Sequence, residues 1–334
     1  MSVDVALLDY SAELITGGGA AYRLDNALLS LEWEEQEGQL AQKATMTIVN
    51  VEVGSKWIMS YAQLNCMIRI YGMWGEGRKQ LFEGYIWEWQ YTSASNKEFT
   101  IIAYDPLIRL QQSKDFKYFS AGLTTPALIG SICSDWGITL DYKWSQQMTH
   151  QKKVYNCMTI SDMIISTLDE VRHQVAKKYV IMFKEGKLLI ADYGQNSDIY
   201  KFTFENTIST NNRLSISNLV TKVKIIGKAD DDGRCSVDAV EDGDQQYGVL
   251  QEILKHESKK DLGDAKAEAQ ALLKERGKPA ETISVNAPDL PFLRRGDEVE
   301  MAAGNLLGRF YVTGVTHNAT QKQMTMTLIR KEAA

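Results

Sequence analysis

Cysteine is scarce in this chain of 334 residues, and its placement excludes more than its number does. The four residues Cys66, Cys133, Cys157 and Cys235 form no CxxC pair and have no nearby histidine. Metal clusters need ligands at short fixed spacings, so a zinc site is not expected. Nor do four cysteines make a disulfide scaffold, and they read as reduced, buried thiols. No apolar run approaches the ~20 residues of a membrane helix. The N-terminus lacks a basic segment followed by a long apolar core, so synthesis and folding in a cytoplasm are expected. Catalytic signatures are missing too: there is no GxSxG elbow, HExxH helix, Walker loop or dinucleotide fingerprint. Gly17-Gly18-Gly19 lacks the GK[ST] ending and reads as a flexible loop. An excess of positive charge is also absent. With 37 basic and 43 acidic residues the net charge is −6, which argues against a protein that coats nucleic acid. After Trp144 there is no tryptophan at all, although the chain has seven.

What is present is an ordinary folded composition, 44% hydrophobic and 24% charged, in a length that suits two or three domains. The charge is unevenly spread. Residues 1–112 hold 8 basic and 14 acidic side chains, residues 113–210 hold 11 and 10, and residues 211–334 hold 18 and 19. The net charge of the whole chain therefore belongs to its first third.

Residues 20–112 read as strands. Leu64, Cys66, Ile68 and Ile70 alternate with polar or intermediate residues, Thr45 to Val53 forms a strand with a bulge near Ile48 and Val49, and Phe99 to Tyr104 forms another. Turns fall at 72–79 and 93–97. After Gln112, Thr125-Pro126 opens a helix that stops at Gly137, and Ser161 caps a second carrying Met163, Ile164, Leu168 and Val171. A hairpin turns at Lys184-Glu185-Gly186. From Asn211 strands return, interrupted by one helix that starts at Asp261 or Asp264 and ends at Gly277. The final strands are Ile283–Asn286, Glu298–Met301, Arg309–Thr316 and Met324–Ile329.

An internal echo links the two ends. Gly77-Arg78, a strand through Phe82, then Gly84, Ile86, a polar turn and Phe99-Thr-Ile-Ile-Ala match Gly308-Arg309, a strand through Val312, then Gly314, Thr316, a turn at Gln321-Lys322 and Met324-Thr-Met-Thr-Leu. The order of parts is the same in both.

Candidate chemistry is thin. The four histidines, His150, His173, His256 and His317, are far apart in sequence, and Glu252 with His256 reads as a surface pair. Asp230-Asp231-Asp232-Gly233 lacks the glutamate a calcium loop needs and reads as a hairpin turn. Glu32, Glu34, Glu35 and Glu37 crowd one loop-like stretch. They read as a solvated face, or as a patch for a basic partner. Tyr85, Trp87, Trp89 and Tyr91 alternate along one strand, on one face of it. They are open to three readings: an inner barrel face, a protein interface or a sugar-stacking strip. A groove for single-stranded nucleic acid would be basic, and this chain is not.

The segment from Asp264 to Met301 combines an alanine-rich helix with Leu272-Leu273, then Val285, Pro288, Leu290 and Arg295-Gly296-Asp297-Glu298-Val299. In that order the parts resemble the hub proteins of phage tail baseplates, of the contractile-tail, late control protein D-like type. The same family is related to the hub part of type VI secretion spikes. Ala103-Tyr104-Asp105 with Leu107 and Leu110 resembles the end of the family's first barrel. Thr159 to Ile164 with the Lys184 hairpin resembles its central module. The resemblance implies a mainly β fold with an α+β insert: two similar tube-like antiparallel β-barrel domains flanking a small α+β middle domain. The boundaries are 1–19 for an N-terminal arm, 20–112 for the first barrel, 113–210 for the middle domain and 211–334 for the second barrel with one helix. It further implies a structural, non-enzymatic hub without cofactor or metal, located in the virion tail. Such a hub would form a homotrimer adapting a sixfold tail tube to a threefold spike. Its partners would be tail tube, spike or tip, LysM-type, tape-measure and other baseplate proteins, with no specific nucleic acid and no membrane. An acidic first module suits a channel wall that repels DNA. The alternative is a tail protein that binds or cleaves peptidoglycan through the aromatic strand and the acidic cluster.

Overall fold

A computed structural model describes the chain except for residues 1–6, 75–76, 92–96, 176, 230–231, 257–261 and 332–334. The described residues group into two compact units, 1–210 with 284–334, and 211–283.

The first unit begins with β1 (Asp9–Ile15) and β2 (Ala21–Arg23), followed by β3 (Leu28–Glu35) and β4 (Lys43–Val49). Two-residue strands β5 (Glu52–Val53) and β6 (Lys56–Trp57) make a small ribbon. A meander follows in β7 (Met67–Met73), β8 (Arg78–Tyr91) and β9 (Glu98–Tyr104). Residues 9–15 of the expected arm thus form a strand, which pairs along the full length of β7. The Gly17–Gly19 stretch is a tight turn that joins it to β2, closed by hydrogen bonds between Thr16 and Gly19 and between Thr16 and Ala20. The alternation of Ala44, Met46 and Ile48 with Lys43, Thr45 and Thr47 buries one face of β4. Phe99, Ile101 and Ala103 do the same in β9. The buried side chains meet Leu31, Trp33, Ile68, Ile70, Phe82 and Ile86 in one core.

The middle stretch holds α1 (Ile108–Gln112), β10 (Lys114–Phe119), α2 (Thr125–Asp135), β11 (Thr139–Lys143), β12 (Lys153–Thr159), α3 (Ile160–Val175), β13 (Tyr179–Lys184), β14 (Lys187–Asp192) and β15 (Tyr200–Thr203). Helix α2 has Pro126 in its first turn, as the sequence indicates, with Thr124 as the residue before it. Thr159, not Ser161, caps α3, its hydroxyl accepting from Asp162 N at 3.1 Å. Leu128, Ile129, Ile132, Met163, Ile164, Leu168 and Val171 form a second core with Leu188 and Ile190.

β16 (Ser209–Ser215) leads into the second unit, which contains β17 (Lys222–Ala229), β18 (Cys235–Asp242), β19 (Gln251–Lys255) and α4 (Leu262–Arg276). β17 is central, antiparallel to β18 and parallel to β19. Val220, Val223 and Ile225 pack against Ala265 and Ala269 of α4. β17 and β18 form the expected hairpin, although Asp230 and Asp231 at its turn lie outside the described residues. So does the expected turn at 93–96.

The chain returns to the first unit through β20 (Ala280–Pro288) and ends with β21 (Glu298–Ala303), β22 (Leu306–Asn318) and β23 (Gln323–Arg330). The echo has a structural counterpart. β7–β8–β9 and β21–β22–β23 are both antiparallel meanders around a long central strand, of 14 and 13 residues. In each, the central strand carries a bulge against the third strand, at Trp87 and at Thr313. The two meanders are not separate sheets. β22 pairs with β3 through Val315–Glu35 to Asn318–Glu32, so the order β20-β23-β22-β3-β4-β9-β8-β7-β1-β2 is continuous.

Candidate functional site

The bulge at Trp87 corrects the single aromatic face. β8 pairs with β9 as Ile86–Ala103 and then Glu88–Ile102, so Trp87 is the extra residue and every later side chain changes face. Tyr85 lies opposite Tyr104, on one side of the sheet. Trp89 and Tyr91 lie opposite the buried Ile101 and Phe99, on the other. Nor are they core: Trp87 is 40% exposed and Trp89 and Tyr91 are each 38% exposed. Trp89 stacks on Tyr91 at 6.3 Å between ring centroids, and the Arg109 guanidinium sits 5.1 Å from the Tyr85 ring. The close approach that positions β8 needs glycine: a Cβ on Gly84 would lie 2.4 Å from the Tyr104 carbonyl oxygen.

The acidic cluster is corrected as well. Glu32, Glu34 and Glu35 belong to strand β3, and Glu35 points inward. Its carboxylate accepts from Arg294 Nε at 2.7 Å and from the backbone N–H of Arg295 at 3.1 Å. Arg294 Nη2 donates to the same carboxylate oxygen as Nε, leaving the other oxygen to the Arg295 N–H. Burial would raise the Glu35 carboxyl, but the charges and hydrogen bonds of Arg294 and Arg295 outweigh it and hold the group below the usual range. Glu34 bonds Lys43 at 3.1 Å. Glu34 and Glu35 are therefore not part of a free solvated patch, whereas Glu37 is exposed.

The glycine–aspartate turn is the centre of this arrangement. Arg295 donates to the carbonyls of Gln36 (2.5 Å), Gln39 (2.6 Å) and Ile181, while Arg294 reaches the Phe183 carbonyl. Two adjacent arginines thus tie the loop after β3, the free edge of β13 and the last meander into one ionic cluster. Asp297 accepts from the Arg294 N–H at 2.8 Å; burial pushes its carboxyl up to about 6. Nearby, Asp105 accepts from Gln42 N and Leu107 N, both at 2.9 Å, and burial pushes it up to about 7. Gly296 has φ +96°, and a Cβ there would press on Val180 at 3.0 Å. Beside the turn lies a cavity of about 380 Å³, lined among others by Val180, Met182, Phe292, Arg294 and Asp297.

Three of the four histidines are buried in hydrogen-bonded contacts, and His173 is exposed on α3. His317 stacks on Trp33, with ring centroids 4.8 Å apart. Its Nδ1 faces Asp289 at 2.6 Å and its Nε2 faces the Leu293 carbonyl at 3.0 Å. Tyr10 donates to the other Asp289 oxygen. His150 bridges Glu170 and Thr125. His256 is buried against Asp238 at 2.6 Å, which corrects the surface pairing with Glu252; Glu252 instead faces Arg276 at 3.5 Å. Cys66 and Cys133 are buried as expected, whereas Cys157 and Cys235 are exposed, and all four are free thiols. Among the described residues, no group of three or more His, Cys, Asp or Glu could hold a metal, and no helix is long and apolar enough to cross a membrane.

Sequence reasoning missed the Arg294–Arg295–Glu35 cluster and the Tyr10–Asp289–His317 chain. The available signal was two consecutive arginines directly before a glycine–aspartate turn, in a stretch otherwise read only for its turn.

A family model described as YQBQ-like matches residues 31–329, nearly the whole chain. The chain belongs to the YQBQ-like family. One relative is the protein YqbQ of Bacillus subtilis (strain 168), 25% identical over 224 residues that make up 65% of this chain and 67% of YqbQ. The YQBQ-like match includes most of β3, the glycine–aspartate turn and, but for Arg330, both meanders. Two solved structures share the fold. The prophage MuSo2 43 kDa tail protein from Shewanella oneidensis has a TM-score of 0.68 at 12% identity, covering 96% of this chain and 98% of that one. The tail protein from Neisseria meningitidis MC58 has a TM-score of 0.67 at 10% identity, covering 97% of each. The YQBQ-like fold of this chain is that of tail-hub-like proteins: mainly β, with large antiparallel sheets and few helices.

Proposed function

We propose that the chain is a structural, non-enzymatic hub of a phage or phage-like tail baseplate, three copies of which adapt a sixfold tail tube to a threefold spike. The observation that carries this reading is the repeated meander. β7–β8–β9 and β21–β22–β23 share strand order, a long central strand and a bulge of that strand against the third, so three chains would present six similar β units. In this reading the repeat lies in barrel modules at residues 20–112 and 211–334, around the α+β stretch 113–210. The partners are tube, spike, LysM-type, tape-measure and other baseplate proteins, and the chain works in the virion tail.

Of the four aromatics of β8, Trp87, Trp89 and Tyr91 are the candidate protein interface; Tyr85 is half-buried on the other side of the sheet. Exposed aromatics at a strand end, adjacent to neutral and acidic side chains, suit a contact with another protein. The peptidoglycan reading loses two of its four acids, because Glu35 is held by Arg294 and Glu34 by Lys43.

Size-exclusion chromatography with light scattering tests the proposal. A trimer mass at micromolar concentration, with co-elution of tube or spike protein, is expected. A strict monomer that binds neither, or retention on peptidoglycan with release of soluble product, would overturn it.

A further inference from the structure

The three-stranded sheet of the second unit has one covered face and one open face. Val223 and Ile225 of β17 lie under α4 and are fully buried. The opposite face is a grid set by the strand register. Asp242, Lys222 and Gln251 lie side by side, then Val240, Lys224 and Ile253, then Val237, Ile226 and Lys255. Three valine and isoleucine side chains on it are 42–55% exposed. One lysine, Lys222, faces Asp242 at 3.1 Å, so the face keeps a positive balance from Lys224 and Lys255. An open sheet face that mixes exposed aliphatic side chains with cations resembles an interface more than a solvated surface.

The same chain carries a face of opposite character. On the outer side of β8–β9–β4–β3, the register aligns Glu88, Ile102, Thr45 and Glu32 in one row and Gln90, Thr100, Thr47 and Ser30 in the next. Glu98 extends it beside Val49, and Lys43 pairs with Glu34 while also lying within the field of Glu32. Glu32, Glu34, Glu88 and Glu98 against Lys43 and the Arg109 guanidinium over Tyr85 leave this face negative by two, in the third of the chain that holds the whole net charge.

We propose that the open face of β17–β18–β19 docks on the outer face of β3–β4–β8–β9 of a second copy of this chain. Lys224 and Lys255 would oppose Glu32 and Glu88, and Val240 and Ile253 would pack on Ile102 and the threonine methyls. Two different patches on each copy make the contact heterologous, the kind that closes a ring when its rotation is a whole fraction of a turn, as the trimer reading requires. The inference rests on the trimeric hub reading and deepens it by naming the contact. It also assigns the acidic face to subunit association rather than to a channel wall.

The test is charge reversal and exchange, read by light scattering and sedimentation velocity on the full chain. K224E/K255E and E32K/E88K are each expected to weaken self-association at least tenfold, with association of the parent chain itself weakening as salt rises. The chain carrying all four substitutions is expected to regain the parent mass. Circular dichroism melts of each variant report folding. A parent trimer left intact by both reversals overturns this contact and leaves the hub reading standing. Dissociation without recovery in the exchanged chain also overturns the contact. A parent chain that is monomeric throughout overturns this contact, and the hub reading with it where the chain also binds neither tube nor spike protein.

Discussion

Removing the Glu35 carboxylate should be far more damaging than its position in a run of glutamates suggests. Glu35 is 4% exposed and Arg294 24% exposed at the side chain. In Glu35→Ala the Arg294 guanidinium keeps its desolvation but loses its carboxylate partner, and the Arg295 backbone N–H loses its acceptor. Breaking a buried pair from one side costs about 3–5 kcal/mol. The partial exposure of Arg294 moves that toward about 3, and the orphaned N–H adds roughly 1. The expected loss is therefore about 4 kcal/mol, against about 0–1 for an exposed pair such as Arg23–Asp25. Urea denaturation followed by tryptophan fluorescence measures it. With a slope of about 3 kcal/mol per M the midpoint falls by more than 1 M. Arg294→Met in the same background should recover at least half of the loss, since the uncompensated cation is gone. A cost below about 1 kcal/mol, or no coupling between the two sites in a double-mutant cycle, would refute the view that this pair fastens the modules together.

Other consequences are equally direct. His317→Phe keeps the stack on Trp33 but leaves the fully buried Asp289 with only Tyr10 as a side-chain partner, and should cost about 3 kcal/mol in the same urea assay. Burial raises Asp105 to about 7 and Asp297 to about 6 from 3.8. Between those limits the folded chain holds protons that the unfolded chain has lost, so stability should fall as pH rises from about 4 through about 7. Urea midpoints taken from pH 5 to pH 8 check this, and Asp105→Asn should flatten the slope; an unchanged slope would count against it. Burial pushes the Cys133 thiol up to about 12, and Cys66 is buried, so a thiol reagent should titrate Cys157 and Cys235 fast and the other two only in denaturant. Gly84→Ala drives a methyl into the Tyr104 carbonyl and should destabilise the chain by about 1–3 kcal/mol, seen as a lower melting temperature.

Elements with a local cause were legible. The alternation in β4, β7 and β9 marks half-buried strands because a strand has a period of two, and Pro126 and Gly137 bracket α2. The repeat of β8–β9 in β22–β23 could be seen because glycines and polar turns recur in the same order. Boundaries blurred where a bulge intervenes. One extra residue at Trp87 inverts the faces of Trp89 and Tyr91, and nothing in the alternation of aromatics announces it.

Charge pairing was the part that sequence could not supply. Glu35 lies 259 positions from Arg294, and Asp289 lies 279 positions from Tyr10. Whether a glutamate in an acidic run faces water or an arginine depends on which strand lies beside it. That neighbour is β22, brought to β3 by long-range sheet pairing. The sequence by itself determined the strand-rich composition, the helices, the repeated meander and the acidic first third, because each follows from local periodicity, capping or counting. Only the tertiary structure decided that the two meanders form one sheet, that the glycine–aspartate turn anchors an ionic cluster, and that an acidic and a basic sheet face both lie uncovered. Those depend on register and on contacts between distant segments, and no short-range pattern encodes them.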